Sequence, residues 1–283
     1  MITLSAFSDE AASDLSGQIT ALKRNRISYT ELRSVAGKNV KDFTLTQAKE
    51  IRLQLADNGI DVWSIGSPLG KVDIGVDFSK YLDEVKHVCE LANVFHTDKI
   101  RMFSFFNAYD KRGLVMEYLS KMVETAKAFG VLLCHENEKE IYGDTAERVQ
   151  DLMQNVQGLR FVYDPANYIQ VGEKAEKTLG VFHEKTEYFH IKDVIAKTGE
   201  LVPAGYGDGD ILGLIQKIKG DKVLTLEPHL AVFEGYAAID NTQMKNKFTF
   251  ANNNQAFDFA VNAVKGLLKQ AGYQEKGRGY EKQ

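Results

Sequence analysis

The chain has 283 residues, 35 Lys+Arg against 39 Asp+Glu, a formal net charge of −4, and 44% hydrophobic residues. That composition excludes wholesale disorder, and its mild acidity lacks the basic footprint of a nucleic-acid-binding protein. No run approaches the ~18 apolar residues of a membrane span, residues 1–10 carry no signal-like stretch, and Cys89 and Cys134 make no metal-ribbon or disulfide pattern, which fits a reducing cytoplasm.

Residues 2–7 predict a strand, and 13–23 a helix with Leu15, Ile19 and Leu22 on one face. Residues 28–32 ("SYTEL") predict a second strand. Residues 44–58 predict a helix with Gly59 as its stop, and 61–65 the third strand. The helix over 77–95 repeats Phe78, Leu82, Val85, Val88 and Ala92 near the helical period. Residues 99–103 form the fourth strand and 131–134 the fifth, with a helix over 114–129 between them. Residues 145–155 predict a helix capped by Asp144, with Glu147 at capping-box spacing. Strands over 159–163, 188–191 and 222–226 follow, separated by helices over 173–182 and 210–218. An irregular stretch, 229–254, precedes a last helix over 255–270; it suits a lid or an interface between copies, so a homo-oligomer is one expectation. The polar end of the chain is expected to fray.

Eight strand-then-helix units predict a parallel sheet with helical crossovers. A barrel of eight such units takes about 250 residues. A doubly wound sheet usually carries a glycine-rich turn after its first strand, but here that strand runs into "FSDEAAS". The expectation is therefore an α/β protein, a (β/α)8 TIM barrel in a single domain over 1–273, with a polar tail over 274–283.

In such a barrel the chemistry sits at the C-terminal ends of the strands. Strand two ends in Glu31 and Arg33, strand five in "HENE" with Glu136, and strand six in "YDPAN" with Asp164 and Asn167. Strand seven ends in "HIKD" with His190 and Lys192, and strand eight in "LEPH" with Glu227 and His229. A lone strand-end carboxylate commonly caps the next helix or pairs with a lysine. Three that converge with an imidazole would repel each other unless a cation sits among them. Glu136, Asp164, His190 and Glu227 are therefore the expected ligands of one divalent metal ion, Mn²⁺, Mg²⁺, Co²⁺ or Zn²⁺. Trp63, Phe103, Phe105 and Phe106 read as core or pocket wall. The glycine-rich residues 203–210 read as a plain loop or a phosphate contact without a P-loop lysine.

The series "HENE", "YDPAN", "HIKD", "GYGDGD" and "TLEPH", with "YTELR" earlier, resembles the sugar isomerase/epimerase group of the xylose-isomerase-like TIM barrels. That resemblance implies one metal held by Glu136, Asp164, His190 and Glu227, with Glu136 and Glu227 also serving as acid and base. Asn167 stands where the family often has a substrate-contacting histidine. Lys192 and His229 are candidate oxyanion or hydroxyl contacts. Glu31 and Arg33 either bind distal hydroxyls or form a salt bridge across strand ends.

The reaction expected is isomerisation or epimerisation of a keto sugar, sugar phosphate or related polyol. Its first step would remove a proton α to a carbonyl and pass through a metal-bound enediolate. A metal-dependent dehydratase of an inosose or keto sugar begins the same way and is the alternative. An endonuclease-like phosphodiesterase, whose branch of the family uses three zinc ions and more histidines, and a non-catalytic sugar-binding barrel rank below these.

Overall fold

The computed structural model describes residues 1–233 and 248–283. Eight strands run parallel: β1 (Ile2–Ala6), β2 (Tyr29–Leu32), β3 (Asp61–Gly66), β4 (Lys99–Met102), β5 (Leu132–Glu136), β6 (Arg160–Tyr163), β7 (Tyr188–Ile191) and β8 (Lys222–Leu226). Each pairs with its sequence neighbours, and β8 closes on β1 through Ile2↔Lys222 to Ala6↔Leu226. This is the closed (β/α)8 barrel that the alternating pattern predicts.

The helices on the outside are α1 (Leu15–Arg24), α2 (Leu45–Asp57), α3 (Phe78–Val94), α4 (Arg112–Ala128), α5 (Ala146–Asn155), α6 (Pro165–Gln170), α7 (Ala175–Phe182), α8 (Ile211–Lys217) and α9 (Asn253–Gln270). Their starts follow local chemistry. Thr44 and Gln47 form a reciprocal capping box at α2, and Asp77 caps α3. At α5 the cap is Thr145 rather than Asp144. Asp144 lies one residue too early, in a short 3-10 turn, where its carboxylate accepts from Tyr109 and Arg148 instead. Helix α6 was missed by the sequence reading because it is only six residues long and begins on Pro165 immediately after a strand.

The core divides into an outer and an inner part. Side chains such as Leu133, Phe161, Phe189 and Leu224 face the helices in one large apolar cluster. Cys134, Val162, Tyr188 and Val223 form a separate cluster with Trp63 against it. Side chains alternate along a strand, so residues two or four beyond this inner layer also point inward. Those are Glu136, Asp164, His190 and Glu227. The alternation of the sheet thus delivers the four polar groups to one end of the barrel, while Cys89 and Cys134 stay buried and free.

The end of the chain does not fray as expected. Tyr273–Lys276 and Gly279–Lys282 form an antiparallel hairpin, and Tyr280 pairs with Ile2. Arg278 donates to the carbonyls of Ser28 and Gly59, so the hairpin covers the end of the barrel opposite the site. The sequence hid this because the strands' polar faces are exposed, while Tyr273 and Tyr280 are buried. Among the described residues, no helix is long and apolar enough to cross a membrane.

Candidate metal centre and active site

Glu136 is the last residue of β5, Asp164 follows β6, His190 lies within β7, and Glu227 follows β8. One ligand-type atom from each falls within 4.8 Å of the others, and all four residues are buried. His190 Nδ1 is 3.0 Å from Glu136 Oε1 and 3.2 Å from Glu227 Oε2. Asp164 also caps α6, with Oδ1 accepting from the Asn167 N–H at 3.0 Å. Capping therefore uses one oxygen of Asp164 and leaves the other facing the cluster.

The donor set fits a divalent cation. Asp164 Oδ2, His190 Nδ1 and Glu227 Oε2 are buried and face one another, Glu136 and Lys192 at ion-pair distances without a well-aligned hydrogen bond among the described residues. Buried polar atoms without well-formed hydrogen bonds are expensive inside a protein, and a cation where these donors converge would satisfy them together. One imidazole with carboxylate oxygens is a set that Zn²⁺, Mn²⁺, Co²⁺ and Mg²⁺ all accept.

Electrostatics inside the cluster are strong. Burial would depress the His190 pKa, but Glu136 and Glu31 hold it well above the ordinary value. Burial lifts the Asp164 carboxyl to about 6, against the pull of Lys192 and with Glu136 and Glu227 adding to the rise. Glu227 is held well below the usual range because Lys192, His190 and His229 outweigh its burial. Lys192 itself is held well above its usual range, as Asp164 and Glu227 outweigh its burial.

A ring of polar side chains surrounds the four. Lys192 Nζ is 2.9 Å from Asp164 Oδ2 and 3.6 Å from Glu227 Oε2. Asn167 Nδ2 donates to Glu136 Oε1 at 3.2 Å. His229 Nε2 lies 3.5 Å from Glu227 Oε1 and 3.4 Å from Glu10 Oε1. Glu31 reaches His190 Nε2 at 3.1 Å and accepts from Tyr188 at 2.9 Å. The pairing of β2 with β3 shifts register between Thr30 and Glu31. Arg33 donates to both oxygens of Asp9 at 2.9 Å and to Glu227 Oε1 at 3.0 Å. Of the two expectations for Arg33, the salt bridge across strand ends is the one its contacts match.

Glu10, Glu227 and His229 also bring ligand-type atoms together. There Arg33 already supplies positive charge, with Nη2 3.4 Å from Glu10 Oε1. His135 takes no part in the cluster. It falls on the outward register of β5, bonds Ser104 at 2.9 Å, and burial pushes its pKa down to about 3. The loop over 203–210 is filled from within: the Asp193 carboxylate accepts from the amides of Val194, Gly205, Gly207 and Gly209, leaving those amides unavailable to a phosphate.

Four contributing residues have no role assigned from the sequence. Asn137 exchanges two 2.9 Å hydrogen bonds with the Asp164 backbone and fixes the end of β5 to the end of β6. Asp9 and Glu10 anchor Arg33. Arg101 on β4 stands 3.4 Å from Glu136 Oε2. Its signal was a charge inside the short apolar run "KIRMF".

A family model described as xylose isomerase-like TIM barrel matches residues 27–244. No curated protein sequence matches the chain. Among solved structures, an L-ribulose 3-epimerase superposes with a TM-score of 0.72 at 17% identity, covering 96% of each chain. The probable 3-DHS dehydratase AsbF from Bacillus anthracis gives 0.72 at 15% identity, covering 94% of this chain and 99% of that one. The IOLI protein, described with a binding zinc atom, gives 0.72 at 13%, covering 95% and 99%. At such identities the structural likeness is one of fold. The family match extends over most of the sequence, and the chain belongs to the xylose isomerase-like TIM barrel family.

Proposed function

We propose that the protein is a divalent-metal-dependent isomerase or epimerase of a keto sugar or related polyol, working in the cytoplasm. The observation that carries this reading is the convergence of Glu136, Asp164, His190 and Glu227 within 4.8 Å at one end of the barrel. A divalent cation there would supply Lewis-acid polarisation of a carbonyl and an adjacent hydroxyl. Glu227 is held ionised, as a base must be, with one oxygen fixed by Arg33 and the other facing the cluster. It takes the proton α to the carbonyl. Glu136, three strands away and fixed by Asn167, faces the bound sugar from the other side and returns a proton that it has first taken up from solvent, while Glu227 releases its own to solvent. Lys192 supports the negative charge that develops on oxygen. Asn167 and His229 contact hydroxyls.

The test is chelation followed by reconstitution, with solvent deuterium wash-in measured over a panel of keto sugars and keto-inositols. The expected result is one metal per chain, and exchange that disappears on chelation and returns with metal. Full turnover by metal-free protein rejects the mechanism. The likeness in fold to a probable dehydratase favours a second reading: loss of water after the same proton abstraction. Product mass separates the two, because only elimination changes it.

A further inference from the structure

Arg101 lies on β4 with 4% of its surface exposed. Its Nε is 3.4 Å from Glu136 Oε2 and 3.9 Å from Glu31 Oε1. Its guanidinium sits 4.7 Å from the centroid of the Phe103 ring and 5.4 Å from that of Phe7. Yet beyond these two ion pairs its side chain donates no hydrogen bond among the described residues, and Nε is a buried atom with no aligned acceptor. Arg33 nearby spends its guanidinium on Asp9, Glu10 and Glu227. Arg101 thus has its charge paired by two carboxylates while its guanidinium N–H donors make no hydrogen bond among the described residues. Its place is also held from outside. Phe103 and Phe105 donate to the carbonyls of Leu69 and Gly70, and a Cβ on Gly70 (φ +85°) would overlap the Phe103 carbonyl.

We propose that Arg101 is a substrate-contact residue that donates to two neighbouring oxygens of an uncharged keto sugar or polyol. The inference rests on the reading of the site as a polyol site and narrows its substrate class. The guanidinium fork suits paired oxygen acceptors. Two carboxylates already stand within 4 Å of it, so a phosphate or carboxylate brought to Arg101 would also meet Glu31 and Glu136. Hydroxyl and carbonyl oxygens meet no such repulsion, and a hydroxyl can donate to the same carboxylates. Phe103 and Phe7, both buried, pack against the guanidinium and fix its plane.

The test uses the metal-loaded full chain and reads binding by calorimetry beside turnover. The panel holds unphosphorylated 2-ketopentoses, 2-ketohexoses and a keto-inositol, with fructose 6-phosphate, ribulose 5-phosphate and a hexuronate as anionic counterparts. The wild type is expected to bind at least one uncharged compound about tenfold or more tighter than any anionic one. Arg101→Met, and Arg101→Lys, which keeps the charge but loses the fork, should each weaken that binding about tenfold or more. Metal stoichiometry should stay unchanged and the loss should fall on KM more than on kcat. An anionic compound that binds tightest, a panel in which nothing uncharged binds, or a folded Arg101 variant with wild-type affinity overturns the proposal. If binding depends on Arg101 but no compound is isomerised, the proposed reaction fails and the contact stands. If turnover proceeds with an unchanged KM in Arg101→Lys, the contact fails and the reaction stands.

Discussion

Glu31 Oε2 lies 3.1 Å from His190 Nε2, and both side chains are fully buried. The contact spans the barrel from β2 to β7 and leaves Nδ1 as the nitrogen that faces Glu136 and Glu227. Tyr188, donating to the other oxygen of Glu31, fixes the carboxylate in turn. A carboxylate behind a ligating histidine orients the ring and raises its basicity, and its loss typically costs 10–100-fold in metal affinity. Glu31→Gln is therefore expected to weaken Zn²⁺ or Co²⁺ binding by about that factor with the barrel intact. Competition titration against a chromophoric chelator measures it, and an unchanged affinity would remove Glu31 from this role.

Glu136 and Glu227 each face a guanidinium on one side, Arg101 for the first and Arg33 for the second, and the metal cluster on the other. Glu227→Gln and Glu136→Gln keep the size of the side chain and remove its capacity to carry a proton. Each should lower turnover by roughly 10²–10⁴-fold, the usual worth of a positioned acid or base. Glu227→Gln should also abolish deuterium exchange at the carbon α to the carbonyl. Exchange retained in that variant would move the base to another residue.

The barrel was legible because each inner strand is a short apolar run and each helix carries a periodic stripe, two signals that survive without tertiary context. The convergence of His190 and the three carboxylates was legible because they fall at or near strand ends. The supporting contacts were not. Asp9 and Glu10 lie in "FSDEAAS" with no local signal of a partner, and the pairing of β1 with β2 brings them to Arg33. Asp193 looked like another strand-end carboxylate, although its oxygens hold the glycine amides of the next loop. Residues 234–247 of the segment 229–254, expected as a lid or an interface, lie outside the described residues.

Arg33, Asp9 and Glu227 have side chains only 3–4% exposed. A buried ion pair adds little over an apolar replacement, but removing one partner strands the others. Arg33→Met should accordingly destabilise the fold by about 3–5 kcal/mol, as measured by urea unfolding. It should also weaken metal binding, because Glu227 loses its fixed orientation. A loss below about 1 kcal/mol would mean that water replaces the guanidinium.

The C-terminal hairpin offers a perturbation remote from the chemistry. Removing residues 272–283 exposes Ile2 and the packing partners of Tyr273 and Tyr280, both buried. Burial of a large apolar side chain contributes about 1.5–3 kcal/mol, so the truncated chain should lose on the order of 3–5 kcal/mol of stability. It should keep its metal affinity at temperatures where it stays folded, because the hairpin lies at the far end of the barrel from Glu136 and Glu227. Loss of metal binding in a folded truncation would contradict that separation.

The Arg112–Asp151 pair between α4 and α5 sets a small acid-dependent increment of stability. Arg112 donates to both oxygens of Asp151, at 2.7 and 2.6 Å, and Tyr142 donates at 2.7 Å. The Arg112 hydrogen bonds, aided by Tyr142 and opposed by partial burial, hold the Asp151 carboxyl below its usual range. A carboxyl with a depressed folded-state pKa stabilises fully above its unfolded value, near 4, and loses that contribution as pH falls through the folded value. The Arg112 side chain is 53% exposed and Asp151 22%, so solvent screening keeps the increment small. Asp151→Asn should therefore be less stable than the wild type at pH 6, and the gap should close toward pH 3. Carboxyl groups elsewhere titrate in both proteins and cancel in the difference. A gap that stays constant from pH 6 to pH 3 would assign the effect to lost packing instead of the ionised pair.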